Sequence, residues 1–189
     1  MNLVGKHVSL LPLQISDASD LSSVAELDFF RYYVSYVPKE ISMQEFEKYI
    51  AFIQTSGYVG YKILLNETME VVGSSCFMDI RPKDFHVEIG MTWYAKQFRG
   101  TLVNPECKLL MLDHAFDVLD CQKVTLKGDA RNKHSRRAME KLGAIYEGTL
   151  RRHRFTVFEE FRDTAYYSIL REEYPAVRQK LLNRLELYG

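Results

Sequence analysis

The 189-residue chain is 47% hydrophobic and 26% charged, the balance of an ordinary soluble globular protein long enough for one substantial core. Its 25 basic side chains are matched by 25 acidic ones, so no overall field draws it onto nucleic acid or an anionic membrane, and any anion it binds must be held locally. No apolar stretch approaches membrane-spanning length, the start lacks the basic flank and apolar core of a secretory signal, and the three scattered cysteines follow neither a zinc-ligand nor a disulfide pattern. A cytoplasmic, single-domain chain over residues 1–189 is expected, with reduced thiols and no metal.

A first strand is predicted over 7–13, then a short helix opened by Ser16 and Asp17 and running through Leu21, Val24 and Leu27. Phe29, Phe30, Tyr32, Tyr33 and Tyr36 crowd into the connection before Pro38, a composition suited to packing on the core and lining a cleft at once. Ser42 and Glu45 read as a capping box for a helix with Phe46, Tyr49, Ile50 and Ile53 on its apolar face, ended by Gly57. Runs over 59–65 and 71–80, joined by a polar turn at Asn66, Glu67 and Thr68, read as an antiparallel hairpin. The next strand covers 85–94.

A basic loop from Arg99 to Asn104 then leads into a helix, with Asn104 as its predicted N-cap, Pro105 as its first residue, and Leu109, Leu112, Ala115, Phe116 and Leu119 as its apolar face. A crossover of that length makes the strand over 123–127 parallel to its predecessor. Asn132 opens another helix, which ends at Gly143. Strands over 145–158 and 164–170 and a helix over 175–187 complete an α+β architecture, in which helices flank a mixed, mostly antiparallel sheet with one parallel step near its centre.

The strand-loop-helix unit from Val87 to Leu119 has the makings of an anion site. A helix start leaves backbone N–H groups unpaired and carries partial positive charge, so a loop wrapped around it can hold a phosphate. The same order also suits a unit with no ligand. One strand downstream stands Asn132-Lys133-His134-Ser135-Arg136-Arg137-Ala138, followed by Leu142-Gly143-Ala144. Together with Val8 to Leu13, Val72-Gly73, Glu88-Ile89-Gly90, Arg99 to Lys108, Glu147 to Arg151, Arg162-Asp163-Thr164 and Tyr167 to Leu170, this set resembles the GCN5-related N-acetyltransferases (GNAT) over nearly the whole chain. The similarity is to the branch typified by the ribosomal-protein alanine N-acetyltransferases (RimJ/RimL-like).

The resemblance implies transfer of an acetyl group from acetyl-CoA to a primary amine, a protein N-terminus or a small amine, directly within a ternary complex. It implies a splayed parallel strand pair that admits the pantetheine arm. Gly90, inside the strand, suits a bulge or a close backbone approach there, or is merely a weak point. By the same resemblance the backbone of Met91, Thr92 and Trp93 runs along the pantetheine amides. The loop Arg99, Gly100, Thr101, Leu102, Val103 and Asn104 wraps the pyrophosphate, with Asn132, Ser135 and Arg137 as further cofactor contacts. The loop departs from the family pattern, since Leu102 and Asn104 stand where small residues are usual. A side chain at Leu102 restricts a backbone that must curl around phosphate, which bears on CoA affinity more than on the fold.

Glu88 is the candidate base, placed on the strand expected to face the acetyl group, and it reads equally as a structural, salt-bridged carboxylate. Ser135 is the candidate donor to the departing thiolate. Tyr94, Tyr146 and Tyr167 are weaker candidates for that proton. The run Arg151-Arg152-His153-Arg154 is in part a solvated strand face, with the remainder available to an acidic acceptor. A non-catalytic CoA-binding or regulatory module is the alternative reading, and an unrelated phosphate-binding scaffold a more distant one. A homodimer is compatible with the chain, although nothing in the sequence fixes one.

Overall fold

The computed structural model describes residues 1–188; Gly189, the end of the expected domain, lies outside them. Eight strands form one sheet: β1 (Leu3–Val4), β2 (Val8–Pro12), β3 (Val59–Leu65), β4 (Val71–Arg81), β5 (His86–Tyr94), β6 (Lys123–Asp129), β7 (Ile145–Phe155) and β8 (Phe161–Leu170). Their order is β1-β2-β3-β4-β5-β6-β8-β7, antiparallel throughout except for β5 and β6. Five helices flank it: α1 (Ala18–Val24), α2 (Met43–Thr55), α3 (Val103–Asp113), α4 (Lys133–Leu142) and α5 (Tyr174–Glu186). No helix among the described residues is long and apolar enough to cross a membrane.

Two apolar cores form, one on each face. Leu109, Met111 and Leu112 of α3 and Val177 and Leu181 of α5 pack with Val87, Ile89, Val124 and Ile169 of the sheet. Leu21 of α1 and Phe46, Tyr49, Ile50 and Ile53 of α2 pack with Cys76, Met91 and Trp93 on the other side, joined by Phe30. Strand β5 therefore contributes odd-numbered residues to both cores, which a regular strand cannot do because its side chains alternate with a period of two. A β-bulge explains this. The β4–β5 register shifts between Ser74 and Cys76, and Met91 opposite that shift has a left-handed backbone, φ 48°. One extra residue reverses the alternation, moving Met91 and Trp93 to the α2 side and Tyr94 to the α3 side. The bulge thus falls at Met91. Gly90 instead provides close approach, since a Cβ there would lie 2.7 Å from the Met78 sulfur.

The parallel pair is short. Only His86–Lys123, Val87–Val124 and Glu88–Thr125 are in register, after which β5 continues with β4 and β6 with β8 while the two part company. This is the splay the resemblance implied.

Helix α3 begins two residues earlier than expected. Leu102 is the cap residue, without a side-chain capping bond, and Asn104 lies inside the first turn, where its Oδ1 accepts from the Tyr94 hydroxyl at 3.0 Å. That buried phenol needs an acceptor, and Asn104 meets the need from within the helix. Pro105 is tolerated because first-turn N–H groups have no intrahelical partner. The predicted continuation to Leu119 holds as α-helix only to Asp113. A π-turn over His114–Val118 follows, with Phe116 stacked on Tyr174 of α5 at 4.5 Å. The start of α3 is fixed by Glu106, whose buried carboxylate accepts from the backbone N–H groups of Lys6, His7 and Val8 at 2.7–3.1 Å.

Other boundaries moved for local reasons. Helix α1 stops at Val24, and Leu27 opens a separate 3-10 turn, Leu27–Phe30. Strand β7 ends at Phe155 and β8 starts at Phe161, because Thr156 and Glu160 close a tight turn (Thr156 N–H to Glu160 O, 2.9 Å) with Glu159 at φ 58°. Ser42 does cap α2 by accepting from the Glu45 N–H, but Glu45 bonds the Tyr36 hydroxyl, the Lys39 N–H and Lys48 rather than returning to the Ser42 N–H. Asn132 caps α4 as expected, accepting from the Ser135 N–H at 3.0 Å, and Gly143 ends it at φ 105°.

Candidate active site

Where β5 and β6 diverge, a cleft of about 1100 Å³ opens. Its walls bring together most of the residues singled out from the sequence: Glu88, Met91, Thr92, Trp93, Arg99, Gly100, Thr101, Asn104, Asn132, Ser135 and Arg137 all line it. The strand edges that face each other across the gap, 89–94 and 126–129, make no ladder with one another, so their main-chain groups border the opening.

At one end lies the loop before α3. Gly100 supplies the turn, at φ 79°, where nothing within 4 Å would meet a Cβ but an L side chain would strain the backbone. Leu102, by contrast, has a right-handed backbone at φ −67° and ψ −18°, and its side chain packs against the core. Val103 is buried in the same core. Neither side chain lines the cleft, so anything these two contribute to an anion comes from their main chain. The tight turn expected to be restricted by a side chain at Leu102 is made at Gly100, and the leucine two residues later sits in ordinary helical geometry. Arg99 is held over the Phe29 ring at 4.1 Å and donates from Nε to the Tyr94 carbonyl at 3.2 Å, which joins the loop to the aromatic segment.

Beneath the loop, sequence reading missed Lys108. It is buried, lies on α3 and donates from Nζ to Thr92 Oγ1 at 2.7 Å and to Ser75 Oγ at 3.4 Å, with no carboxylate of the described residues in its salt-bridge range. Burial pushes its pKa down from the ordinary lysine value. The bulge at Met91 is what turns Thr92 toward it. A lysine inside an amphipathic helix reads from sequence as a solvated face residue, and nothing local distinguishes this one.

At the middle of the cleft, Glu88 is buried and its Oε2 pairs with Lys127 Nζ at 2.7 Å. It both faces the cleft and carries the salt bridge of the structural reading. Burial opposes the Lys127 charge, but Glu88 beside it holds the ammonium above the usual lysine range. Ser135, on the first turn of α4, faces the opposite wall beside Gly128, whose Cβ, were there one, would meet Ser135 Oγ at 3.3 Å. Arg137 lines the cleft, whereas Arg136 turns away to donate from Nε to the Tyr167 hydroxyl at 3.0 Å.

Of the tyrosines considered as proton donors, Tyr94 lines the cleft but donates to Asn104, while Tyr167 donates to Glu140 and Tyr146 pairs with Thr149 outside it. All three cysteines are buried and unpaired; burial pushes the Cys76 thiol up to about 12, which leaves it inert as a nucleophile near neutrality.

The far end is walled by Tyr32, Tyr33 and Ser35 of the aromatic segment and by His153, Arg154, Arg162 and Tyr166 of β7 and β8. Of the basic run, His153 and Arg154 face the cleft and Arg151 and Arg152 a separate surface hollow. His153 bonds Thr164 Oγ1 at 3.1 Å, and burial, reinforced by Arg154, lowers its pKa, so it is neutral at neutral pH. Arg162 reaches across from β8 to the Tyr32 carbonyl at 2.9 Å.

Comparison with known proteins bears on this arrangement. Residues 7–145 match the acetyltransferase (GNAT) domain. A Bacillus subtilis (strain 168) protein, YdaF, provisionally named a ribosomal N-acetyltransferase, is 33% identical over 88 residues. That stretch is 46% of either chain, so the match spans about half the length of this curated relative. Among solved structures, a provisionally assigned acetyltransferase superposes with TM-score 0.90 at 34% identity, covering 97% of this chain and 93% of its own. Another such protein, from T. thermophilus, superposes with TM-score 0.87 at 34% identity over 97% of this chain and 96% of its own. With more than half of its length matched and the diverging β5–β6 pair at its centre, the chain belongs to the GNAT acetyltransferase family.

Proposed function

We propose that the protein is an acetyl-CoA-dependent N-acetyltransferase acting on a primary amine in the cytoplasm, by direct transfer in a ternary complex. The observation that carries this reading is the gap between β5 and β6 beyond Glu88, with a turned loop and the start of α3 at one end and a buried carboxylate at its middle. Acetyl-CoA brings the activated acyl group. The main chain of Met91, Thr92 and Trp93 holds the pantetheine arm, the 99–104 loop and first amides of α3 hold the pyrophosphate, Asn132 contacts the arm and Arg137 the ribose phosphate.

The amine reaches the cleft as an ammonium and must lose a proton to attack. Glu88, directly or through a water, accepts it and passes it to solvent. The neutral nitrogen then bonds to the thioester carbonyl carbon, the C–S bond breaks, and the second proton lost by nitrogen ends on the CoA sulfur. Ser135 supports that last step by donating to the leaving thiolate. Lys127 holds Glu88 aimed into the gap through their 2.7 Å contact. YdaF's name motivates a protein N-terminus as one acceptor class, with small amines as the other.

Release of free thiol from acetyl-CoA in the presence of a panel of amines and N-terminal peptides tests the proposal. Glu88→Gln is expected to lower kcat/KM about a hundredfold to ten-thousandfold while CoA binding is kept. Acetyl-CoA binding with no transfer to any acceptor, unaltered by Glu88→Gln, would establish the non-catalytic module instead.

A further inference from the structure

The far end of the cleft contains a cation with no ion-pair partner among the described residues. Arg162 is only 7% exposed, lines the cleft, and makes a single hydrogen bond among the described residues, from one terminal nitrogen to the Tyr32 carbonyl. Its Nε is buried with no partner. The carboxylates in its neighbourhood are already matched to other cations: Asp129 to Arg131 at 2.8 Å and Glu88 to Lys127 at 2.7 Å. Neither is in salt-bridge contact with Arg162. A buried guanidinium normally has a carboxylate or several acceptors around it, because desolvating its charge is otherwise expensive.

Position indicates what is missing. Arg162 stands on β8 and is fastened to the 27–36 segment through Tyr32, across the cleft from the loop and α4 that serve the cofactor. It shares that end with Arg154, which is exposed and also forms no ion pair among the described residues. The bond to Tyr32 uses one side of the guanidinium and leaves Nε, one half of the fork that grips a carboxylate in bidentate fashion.

Building on the acetyltransferase reading, we infer that the acceptor is an amine that also carries a carboxylate, and that Arg162 is the residue that binds this carboxylate and sets specificity for it. Glu88, at the middle of the same cleft, then receives the amine end. Two sources offer this chemistry: a free amino acid, or a peptide whose second residue is acidic. A structural tie to Tyr32 alone accounts for the bond to its carbonyl but not for the unpartnered Nε.

The test uses both binding and transfer. CoA-loaded protein is titrated calorimetrically with N-acetylglycine, N-acetyl-L-alanine and N-acetyl-L-phenylalanine, with their methylamides, and with the amides of N-acetylalanyl-aspartate and N-acetylalanyl-asparagine. At least one carboxylate ligand is expected to bind about tenfold or more tightly than its uncharged counterpart, the loss typical of a charged hydrogen-bond partner. The free acids respond if the source is an amino acid, and the aspartyl peptide if it is a peptide. Arg162→Gln, which keeps a donor for Tyr32, is expected to abolish that preference while CoA affinity is unchanged, and Arg162→Lys to restore part of it. The acid-to-amide ratio is taken within each protein, so a loss of folded fraction does not imitate the effect. Equal binding of acids and amides by the wild type, or no binding of either, overturns the inference whatever the variants do. In parallel, acetyl transfer to the free amines and their amides is followed. Transfer to both without discrimination sinks the carboxylate site and leaves the transferase standing. Selective binding without transfer to any amine does the reverse.

Discussion

Glu106→Ala offers the sharpest test of how the site is held. Each carboxylate oxygen takes two backbone donors: Oε1 the N–H groups of Lys6 and His7, Oε2 those of His7 and Val8. Truncation leaves the Val8 N–H buried without this acceptor, at a cost of about 1–3 kcal/mol, while Lys6 and His7, being more exposed, recover part of their loss from water. Adding the space vacated inside a buried contact, a total of about 3–5 kcal/mol is expected. Glu106→Gln separates geometry from shape. Its single oxygen can serve only one of the two donor pairs, and its NH₂ confronts the other, so a loss of about 2–3 kcal/mol should remain although volume is conserved. Urea unfolding followed by far-ultraviolet circular dichroism measures both variants. A midpoint for Glu106→Ala that corresponds to less than about 0.5 kcal/mol, the scale of an ordinary surface change, would refute the clamp. So would full rescue by glutamine.

Two further outcomes follow from the walls of the cleft. Leu102→Gly removes a side chain that packs on the core and lies in helical geometry, so it should destabilise the fold by about 1–3 kcal/mol and leave CoA affinity within about threefold; marked tightening of CoA by calorimetry would contradict the placement of that side chain. Lys108 has a pKa lowered in the folded state by burial, so between its folded value and the ordinary 10.5 the unfolded chain binds more protons and stability rises with pH. In Lys108→Met that contribution is gone, and the stability difference, wild type minus variant, should grow from neutral pH toward about pH 10 in denaturant titrations. A difference that stays flat would mean the amine is solvated.

Much of the architecture is legible in local pattern because it depends on local physics. Asn132 and Gly143 bracket α4 since a cap side chain and a left-handed residue are what helix ends require, and their neighbours in sequence are enough to show it. The strand-loop-helix order, the crossover and hence the parallel β5–β6 step follow from periodicity and connection length, whereas the meeting of Glu88, Asn132 and Ser135 around one gap is implied by the family resemblance alone. Tertiary structure decided the rest. Asn104 has the composition of a cap, but the buried Tyr94 hydroxyl ten residues earlier claims its side chain inside the helix. The left-handed turn in β5 falls on Met91 rather than on the glycine beside it, because β4 across the ladder sets the register, and that one-residue shift hands Thr92 to Lys108. Glu106, Lys108, Lys127 and Arg162 look in sequence like four ordinary charges. Whether each is solvated, matched or left waiting for a counter-ion is fixed by partners up to 130 residues away, as in the contact between Arg162 and Tyr32, and no local window contains them.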